Sequence, residues 1–262
     1  MITGGKMQNT LDYYAHSNSL RDMNTQLKIF LALITMIICV IATSPVIPLS
    51  VALILSFILI FKAKIPAGFY FKFLAFPFIF ALITFIFMAL FFGTVDPWFN
   101  FLSLTVYKDG FNLGLLVFSR ILGAFTCLSF LALTTPMTEL FSTFESLKIP
   151  KILIEIAMLM YRYIFVFLEE MENMHNSQKT RLGYKNLKTT FKSLGLIVSN
   201  LFIRTWMRGE QIYITMESRC YGGSIKTFQI QRGIGIKNFI LLLLFESILV
   251  LGTYLTWGLK VI

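Results

Sequence analysis

The run Phe73-Leu74-Ala75-Phe76-Pro77-Phe78-Ile79-Phe80-Ala81-Leu82-Ile83-Thr84-Phe85-Ile86-Phe87-Met88-Ala89-Leu90-Phe91-Phe92 covers twenty positions without a single charge. At about 1.5 Å of rise per residue it makes a helix roughly 30 Å long, the depth of a bilayer's hydrocarbon layer. Four more apolar windows lie around it. Upstream, Leu27 to Ser44 and Pro45 to Phe61 follow each other with no polar spacer, so Pro45 and Pro48 are expected to break the helix and make a hairpin. Downstream, Phe111 to Thr135 is interrupted by Arg120, and Phe239 to Leu259 by Glu246. Five spans are therefore expected, and the fold class is an all-α polytopic membrane protein.

Composition points the same way. Of 262 residues, 56% are hydrophobic, 28 are Phe and only 14% are charged. An ordinary soluble domain carries roughly 25% charged residues, so a typical soluble enzyme is excluded and the surplus apolar surface must face lipid. The net charge of +10 comes from 23 Lys+Arg against 13 Asp+Glu. These basic residues lie outside the apolar runs and form no single stripe of the kind that binds nucleic acid, a pattern that fits basic cytoplasmic segments. Cys39, Cys127 and Cys220 are far apart, odd in number and without C-x-x-C spacing, so they indicate neither a disulfide framework nor a zinc site and read as packing residues. A signal-peptide reading of the first window is set aside because a polar segment precedes it and no A-x-A site follows.

Lysine and arginine set the expected orientation. Lys6, Arg21 and Lys28 precede or open the first span, and Lys62, Lys64 and Lys72 lie between the second and third, whereas the Pro45 to Pro48 hairpin is uncharged. The loop after the third span carries Asp96 and Asp109 against Lys108. This alternation assigns the N-terminus to the cytoplasm of a multi-pass cell-membrane protein. The chain then divides into a cytoplasmic N-terminal segment (1–26), a four-span region (27–135), a cytoplasmic module (136–237) and a C-terminal span (238–262).

The cytoplasmic module is basic yet patterned. Ile152, Ile156, Leu159, Met160, Tyr163, Phe167, Met171 and Met174 recur every three or four positions, while Glu155, Arg162, Glu169 and Asn173 fall on another face, which predicts an amphipathic helix. A second helix is expected from near Tyr184 through Leu194 to Ile203, and a third from Trp206 to Ser218. Gly183 and the pair Gly222-Gly223 stand where helices end. Alone, such helices read as interfacial anchors. A repeat favours a different use: Lys179-Thr180-Arg181-Leu182-Gly183-Tyr184 and Glu217-Ser218-Arg219-Cys220-Tyr221-Gly222 each place an Arg just after Thr or Ser, near a Tyr and a Gly. Two such tips suggest two similar receptors, and a planar guanidinium grips a carboxylate bidentately where a lysine cannot.

These residues, with Leu131-Ala132-Leu133-Thr134-Thr135-Pro136-Met137, Leu147-Lys148-Ile149-Pro150, Met160-Tyr161-Arg162-Tyr163-Ile164-Phe165 and the opening Leu11-Asp12-Tyr13-Tyr14-Ala15-His16-Ser17-Asn18-Ser19-Leu20-Arg21, resemble the transmembrane T component of energy-coupling factor (ECF) transporters. More narrowly they resemble the cobalt-transport subfamily CbiQ, collinearly over nearly the whole chain. The resemblance implies a non-catalytic coupling subunit of an ABC importer for cobalt ions, serving cobalamin biosynthesis. Its implied partners are two CbiO-like ATPase subunits that bind ATP and Mg, a CbiM-like substrate-binding membrane subunit and a small CbiN-like subunit. Arg181 with Gly183, and Arg219 with Gly222, match the family's two arginine motifs at coupling-helix ends, where they dock into the ATPases. Arg162, Pro136 and Pro150 fall in matched stretches and take structural or coupling-helix roles. The second motif departs from the family in having Cys220 where Gly is usual, so a positive φ there would strain the backbone.

The other readings are blander. No phosphate-binding G-x-x-x-x-G-K-[ST] loop is present, and Gly4-Gly5-Lys6 does not supply one, so ATP is expected to be hydrolysed in the partners. His16 and His175 are the two histidines, without a ligand cluster, so no metal site is expected in this chain and His175 reads as a solvated residue near a helix end. Arg120 either pairs with Glu246 or bonds backbone carbonyls or snorkels, because an unpaired charge in a span costs roughly 2.5 to 3.5 kcal/mol. Arg162 is expected to share a polar face with Glu155 and Glu169, and Thr134-Thr135-Pro136 to end the fourth span. The alternatives to a cobalt coupling subunit are the same scaffold importing nickel or a vitamin, an intramembrane enzyme, for which paired carboxylates are wanting, and a stand-alone channel, against which the paired arginines argue.

Overall fold

The computed structural model describes residues 12–20, 23–92, 97–101, 104–147, 149–222 and 235–256. Lys6, Leu11, Arg21, Asp96, Lys148, Gly223, Lys226, Arg232 and the last residues of the fifth window lie outside them. Among the described residues, 12–17 are helical and eight longer α-helices follow in order: α1 (Thr25–Ile41), α2 (Val46–Phe57), α3 (Ala67–Phe91), α4 (Lys108–Thr134), α5 (Met137–Ser146), α6 (Lys151–Thr180), α7 (Leu187–Ser218) and α8 (Ile236–Leu255). The described residues of 11–136 and 230–262 form one compact unit and those of 137–229 a second.

The first unit holds the apolar windows. Helices α3, α4 and α8 are long and apolar enough to cross a membrane, and α1 and Val46–Lys62 are shorter apolar helices. Helix α3 buries only Tyr70, Pro77, Ala81 and Ala89 while Phe76, Ile79, Phe80, Ile83 and Phe87 are exposed, an outward face that water would not tolerate and lipid does. Pro45 stands at the N-cap of α2. Pro48 does not break the chain: it lies in the first turn of α2, where a missing N–H costs little, and is buried. A π-helical turn, Ile58–Lys62, continues α2, and Ala63 N–H reaches back to the Ile58 carbonyl at 3.0 Å.

Helix α4 is the central packing element. A Cβ at Gly123 would sit 3.0 Å from the Pro48 carbonyl oxygen, and one at Gly114 would sit 3.0 Å from that of Phe85, so small residues let the backbones of α2 and α3 close onto α4. Charges complete the α1–α4 pair. Lys28, 2% exposed, donates through Nζ to the Thr134 carbonyl at 2.9 Å. Arg120 donates through Nη2 and Nε to the Ala42 carbonyl at 2.8 and 3.1 Å. The two helices run antiparallel, and each sends a cation to the carbonyl end of the other, where unsatisfied acceptors and the helix dipole favour positive charge. Asn18 Nδ2 adds a bond to the Leu133 carbonyl at 3.2 Å, which ties the opening segment to the same end of α4.

Arg120 thus takes the backbone-carbonyl role. Glu246 accepts instead from Thr35 Oγ at 2.7 Å, and no ion pair joins the two among the described residues. Thr135 is extended at φ −126° and ψ 115°, as a residue before Pro136 prefers, and α4 ends there.

Between α3 and α4 the sequence reading placed only a loop. The structure has an antiparallel hairpin, β1 (Pro97–Phe101) and β2 (Leu104–Tyr107), with Phe101 opposite Leu104. The aromatic and β-branched residues of Pro97–Tyr107 carry that preference, and a two-residue connection suits a hairpin.

The second unit consists of α5, α6 and α7. Helix α5 was not anticipated; it rests on α6 through Phe141 and Tyr161, edge to face at 6.2 Å. The two helices expected from Tyr184 to Ile203 and from Trp206 to Ser218 are one continuous helix, α7. It begins after Asn186, whose capping box with Thr189 fixes the start. Nothing interrupts it near Arg204, where Thr205 Oγ bonds back to the Leu201 carbonyl at 2.7 Å and Trp206 Nε1 donates to Glu210 at 2.9 Å. Cys39 and Cys127 are buried packing residues as expected, but Cys220 is exposed.

Candidate functional site

The two arginine tips are built alike. Arg181 caps α6 at φ −89°, ψ 16°, and Arg219 caps α7 at φ −96°, ψ 18°. The next residue is left-handed in each: Leu182 at φ 58° and Cys220 at φ 57°. The one after reaches back five residues, Gly183 N–H to the Gln178 carbonyl at 2.9 Å and Tyr221 N–H to the Met216 carbonyl at 3.0 Å. This is the Schellman closure, which satisfies the last carbonyls of a helix. Both arginines are exposed, and neither guanidinium has a hydrogen-bond or ion-pair partner among the described residues.

The glycines play other parts than the sequence suggested. The left-handed position is held by Leu182 and Cys220, so the strain foreseen at Cys220 is present at both tips. Gly183 is required by proximity: a Cβ there would lie 2.7 Å from Ser193 Oγ and 3.0 Å from the Gln178 carbonyl oxygen. Gly222 has nothing within 4 Å of such a Cβ, so neither packing nor a left-handed backbone demands it.

Around Arg181 a hydrogen-bond network joins α6 to α7. Ser193 Oγ donates to the Gly183 carbonyl at 2.9 Å, Gln178 Nε2 donates to the Ser193 carbonyl at 3.0 Å, and Tyr184 OH donates to Gln178 Oε1 at 2.9 Å. With that proton committed, the 2.8 Å contact between Tyr184 oxygen and His175 Nδ1 has the imidazole as donor. His175 is therefore a partly buried member of the elbow, a correction to the solvated reading. A groove of about 530 Å³ beside it is lined by Glu170, Arg181, Asn200 and Arg204 among others, and Glu170 Oε2 is buried there without a partner.

At the second tip, Tyr221 OH donates to Glu155 Oε2 on α6. That hydrogen bond to the carboxylate, followed by desolvation and the carboxylate's charge, pushes the Tyr221 phenol above the ordinary tyrosine range. Glu155 lies one turn into α6 and Arg181 at its far end. At about 1.5 Å per residue the two arginine-bearing ends stand roughly 40 Å apart along the helix. The sequence missed Glu155, Gln178 and Ser193 as partners, although the tyrosine in each repeat was the available signal: each repeat's tyrosine ties its tip to α6.

Other expected residues resolve differently. Arg162 is exposed and lies 5.9 Å from the centroid of Tyr163; it stands seven residues from both Glu155 and Glu169 on α6 and so on the same face of that helix, with no ion pair to either among the described residues. Pro150 is the N-cap of α6, and Pro136 is buried immediately before α5.

Five apolar helices in one unit, three of them long enough to cross a bilayer, define the class: an all-α polytopic membrane protein. The chain belongs to the cobalt transport protein family CbiQ, whose family model matches residues 16–229, and it is a transmembrane component of an ECF-type transporter. It is 45% identical to an uncharacterized protein of Methanocaldococcus jannaschii over 97% of this chain and 96% of that one. A putative fused cobalt transport protein CbiMQ of Methanocorpusculum labreanum is 36% identical over 82% of this chain and 37% of its own length. An energy-coupling factor transporter transmembrane protein EcfT of Acidaminococcus fermentans is 29% identical over 94% of this chain and 96% of that protein.

Proposed function

We propose that this chain is the non-catalytic coupling subunit of a cobalt importer, carrying nucleotide-driven movement from two ATPase subunits to a separate substrate-binding membrane subunit. The observation that carries the reading is the pair of exposed arginines on matching helix caps, neither partnered among the described residues. Two equivalent prongs about 40 Å apart suit two equivalent receptors, and free guanidinium forks suit carboxylate or backbone-carbonyl acceptors. Helices α6 and α7 act as levers between the prongs, and their tilting reorients the substrate subunit. The unit of 137–222 and the N-terminus lie in the cytoplasm in this scheme, in keeping with the lysines and arginines that flank the spans.

The ATPases are CbiO-like and supply ATP and Mg; the substrate subunit is CbiM-like, with a small CbiN-like companion. A relative whose name joins CbiM and CbiQ in one chain supports that partnership. The outer face of α7 exposes Phe191, Val198, Phe202, Trp206 and Tyr213, an apolar stripe that calls for a membrane partner. A second reading is the same scaffold serving nickel or a vitamin, with the choice of cargo resting in the substrate subunit; the EcfT relative's name carries no cargo.

The test is capture of the ATPase subunits by tagged full-length chain in detergent, with metal uptake measured in parallel. Arg181→Ala and Arg219→Ala should each weaken capture about 30-fold or more, since losing one partner of a buried interfacial charge pair costs about 2 to 5 kcal/mol. Undiminished capture and uptake by the double variant would overturn the docking role.

A further inference from the structure

The two arginine tips share one local geometry, yet their attachments differ. The Arg181 tip is an elbow with helix on both sides. It is closed by Ser193 Oγ on the Gly183 carbonyl, by Gln178 Nε2 on the Ser193 carbonyl and by Tyr184 on Gln178, and the space at Gly183 is too tight for a methyl group. The Arg219 tip has the Schellman bonds of its own helix, from Cys220 N–H to the Glu217 carbonyl at 3.0 Å and from Tyr221 N–H to the Met216 carbonyl. Among the described residues, the side-chain bond that ties it to another helix is Tyr221 OH on Glu155. Glu155 is 7% exposed, a carboxylate kept at a buried post on α6 that gives the phenol a fixed acceptor. Cys220, between the arginine and the tyrosine, is exposed and left-handed, a backbone state that favours glycine.

We propose that Tyr221 and Glu155 form a releasable latch that positions Arg219, so that one prong of the coupling unit is rigid and the other is hinged. Tyr221 is a positioning residue: it acts on Arg219 by pinning the end of α7 to the start of α6. With the latch shut, Arg219 is presented in one place; with it open, the capped end of α7 swings while the Arg181 elbow stays fixed. The proposal rests on the docking reading for its use in transport, but the latch itself is a property of this chain alone.

Native chemistry supplies the probe. Cys220 is the exposed cysteine, and Cys39 and Cys127 are buried, so a nitroxide spin label attached to the full-length chain in nanodiscs reports on the second tip without engineering. A second preparation, Cys220→Ser with Leu182→Cys, reports on the first tip. Tyr221→Phe and Glu155→Ala should each raise label mobility at position 220 several-fold and leave the label at position 182 unchanged, whereas Glu155→Gln, which keeps an acceptor oxygen, should remain near the parent. Tyr221→Phe should also weaken capture of ATPase subunits less than Arg219→Ala does. An unchanged spectrum at position 220 in both latch variants overturns the proposal, and so does equal mobilisation at positions 182 and 220, which marks a general packing role. A latch that behaves as expected while Arg219→Ala leaves capture intact would instead sink the docking reading and keep the latch.

Discussion

Leu182 and Cys220 occupy the same left-handed backbone state, φ 58° and φ 57°, each immediately after an arginine that caps a long helix. The coincidence is structural repetition: two helix ends closed by the same bond pattern, each turning an arginine outward.

Relief of that strain is measurable. Leu182→Gly and Cys220→Gly should each raise the stability of the second unit by about 1 kcal/mol, a left-handed L-residue costing about 1–2 kcal/mol, partly offset by the freer unfolded glycine. Leu182 is 70% exposed, so little packing is lost on truncation. Thermal melts of full-length chain followed by helix content should show two shifts of similar size; a lowered melting temperature in both variants would contradict the shared-strain account.

The elbow should answer to volume. Gly183→Ala places a methyl group against Ser193 Oγ and should cost about 1–3 kcal/mol by overpacking. Ser193→Ala removes the obstructing oxygen, so the double variant should lose less than the sum of the singles, a coupling that a double-mutant cycle reads directly. Strict additivity would show that the clash is not the cause.

The membrane unit depends on crossed caps and not on an internal ion pair. Lys28→Met or Arg120→Met should each lower stability by about 1.5–3 kcal/mol, the range for a hydrogen bond to a charged group, while insertion is retained. Exchanging the charges as Arg120→Glu with Glu246→Arg should fail to restore what Arg120→Glu loses, because Arg120 meets the Ala42 carbonyl and Glu246 meets Thr35. Full rescue in melting and assembly assays would reinstate the pair.

The latch has a pH signature. Tyr221 titrates above the ordinary tyrosine value because its proton is held by Glu155. A folded pKa raised above the unfolded one stabilises the neutral form, so the contribution is complete below the unfolded value of about 10 and is lost as pH rises through the folded value. Ultraviolet phenolate difference titration of the parent against Tyr221→Phe should show one tyrosine ionising later than the exposed ones. Its appearance at the ordinary tyrosine value would remove the contact.

Much of the fold was legible because lipid imposes a simple rule. Uncharged runs such as Phe73 to Phe92 must be helical to satisfy their backbone, and α1, α3, α4 and α8 lie where those windows fell. The arginine repeat was legible too, since Arg181 and Arg219 stand at helix ends as their flanking residues implied. Less of the module's anatomy could be read. The single helix α7 reads as two because the apolar run Leu194 to Ile203 gives way to the polar pair Arg204-Thr205, while Gly195 and Gly209 inside it do not end the helix. The ten-residue α5 and the hairpin of Pro97–Tyr107 were too short to stand out from a loop.

By itself the sequence determined the solvent of each segment and the two arginines at helix ends, properties set by local composition and spacing, and it carried the family resemblance. The tertiary structure alone decided that Lys28 and Arg120 cap each other's helices, that Gly183 yields to Ser193, and that Tyr221 finds Glu155. Those partners lie between ten and more than a hundred positions apart in the chain, and which distant acceptor a donor meets depends on how the helices pack, which no local pattern encodes.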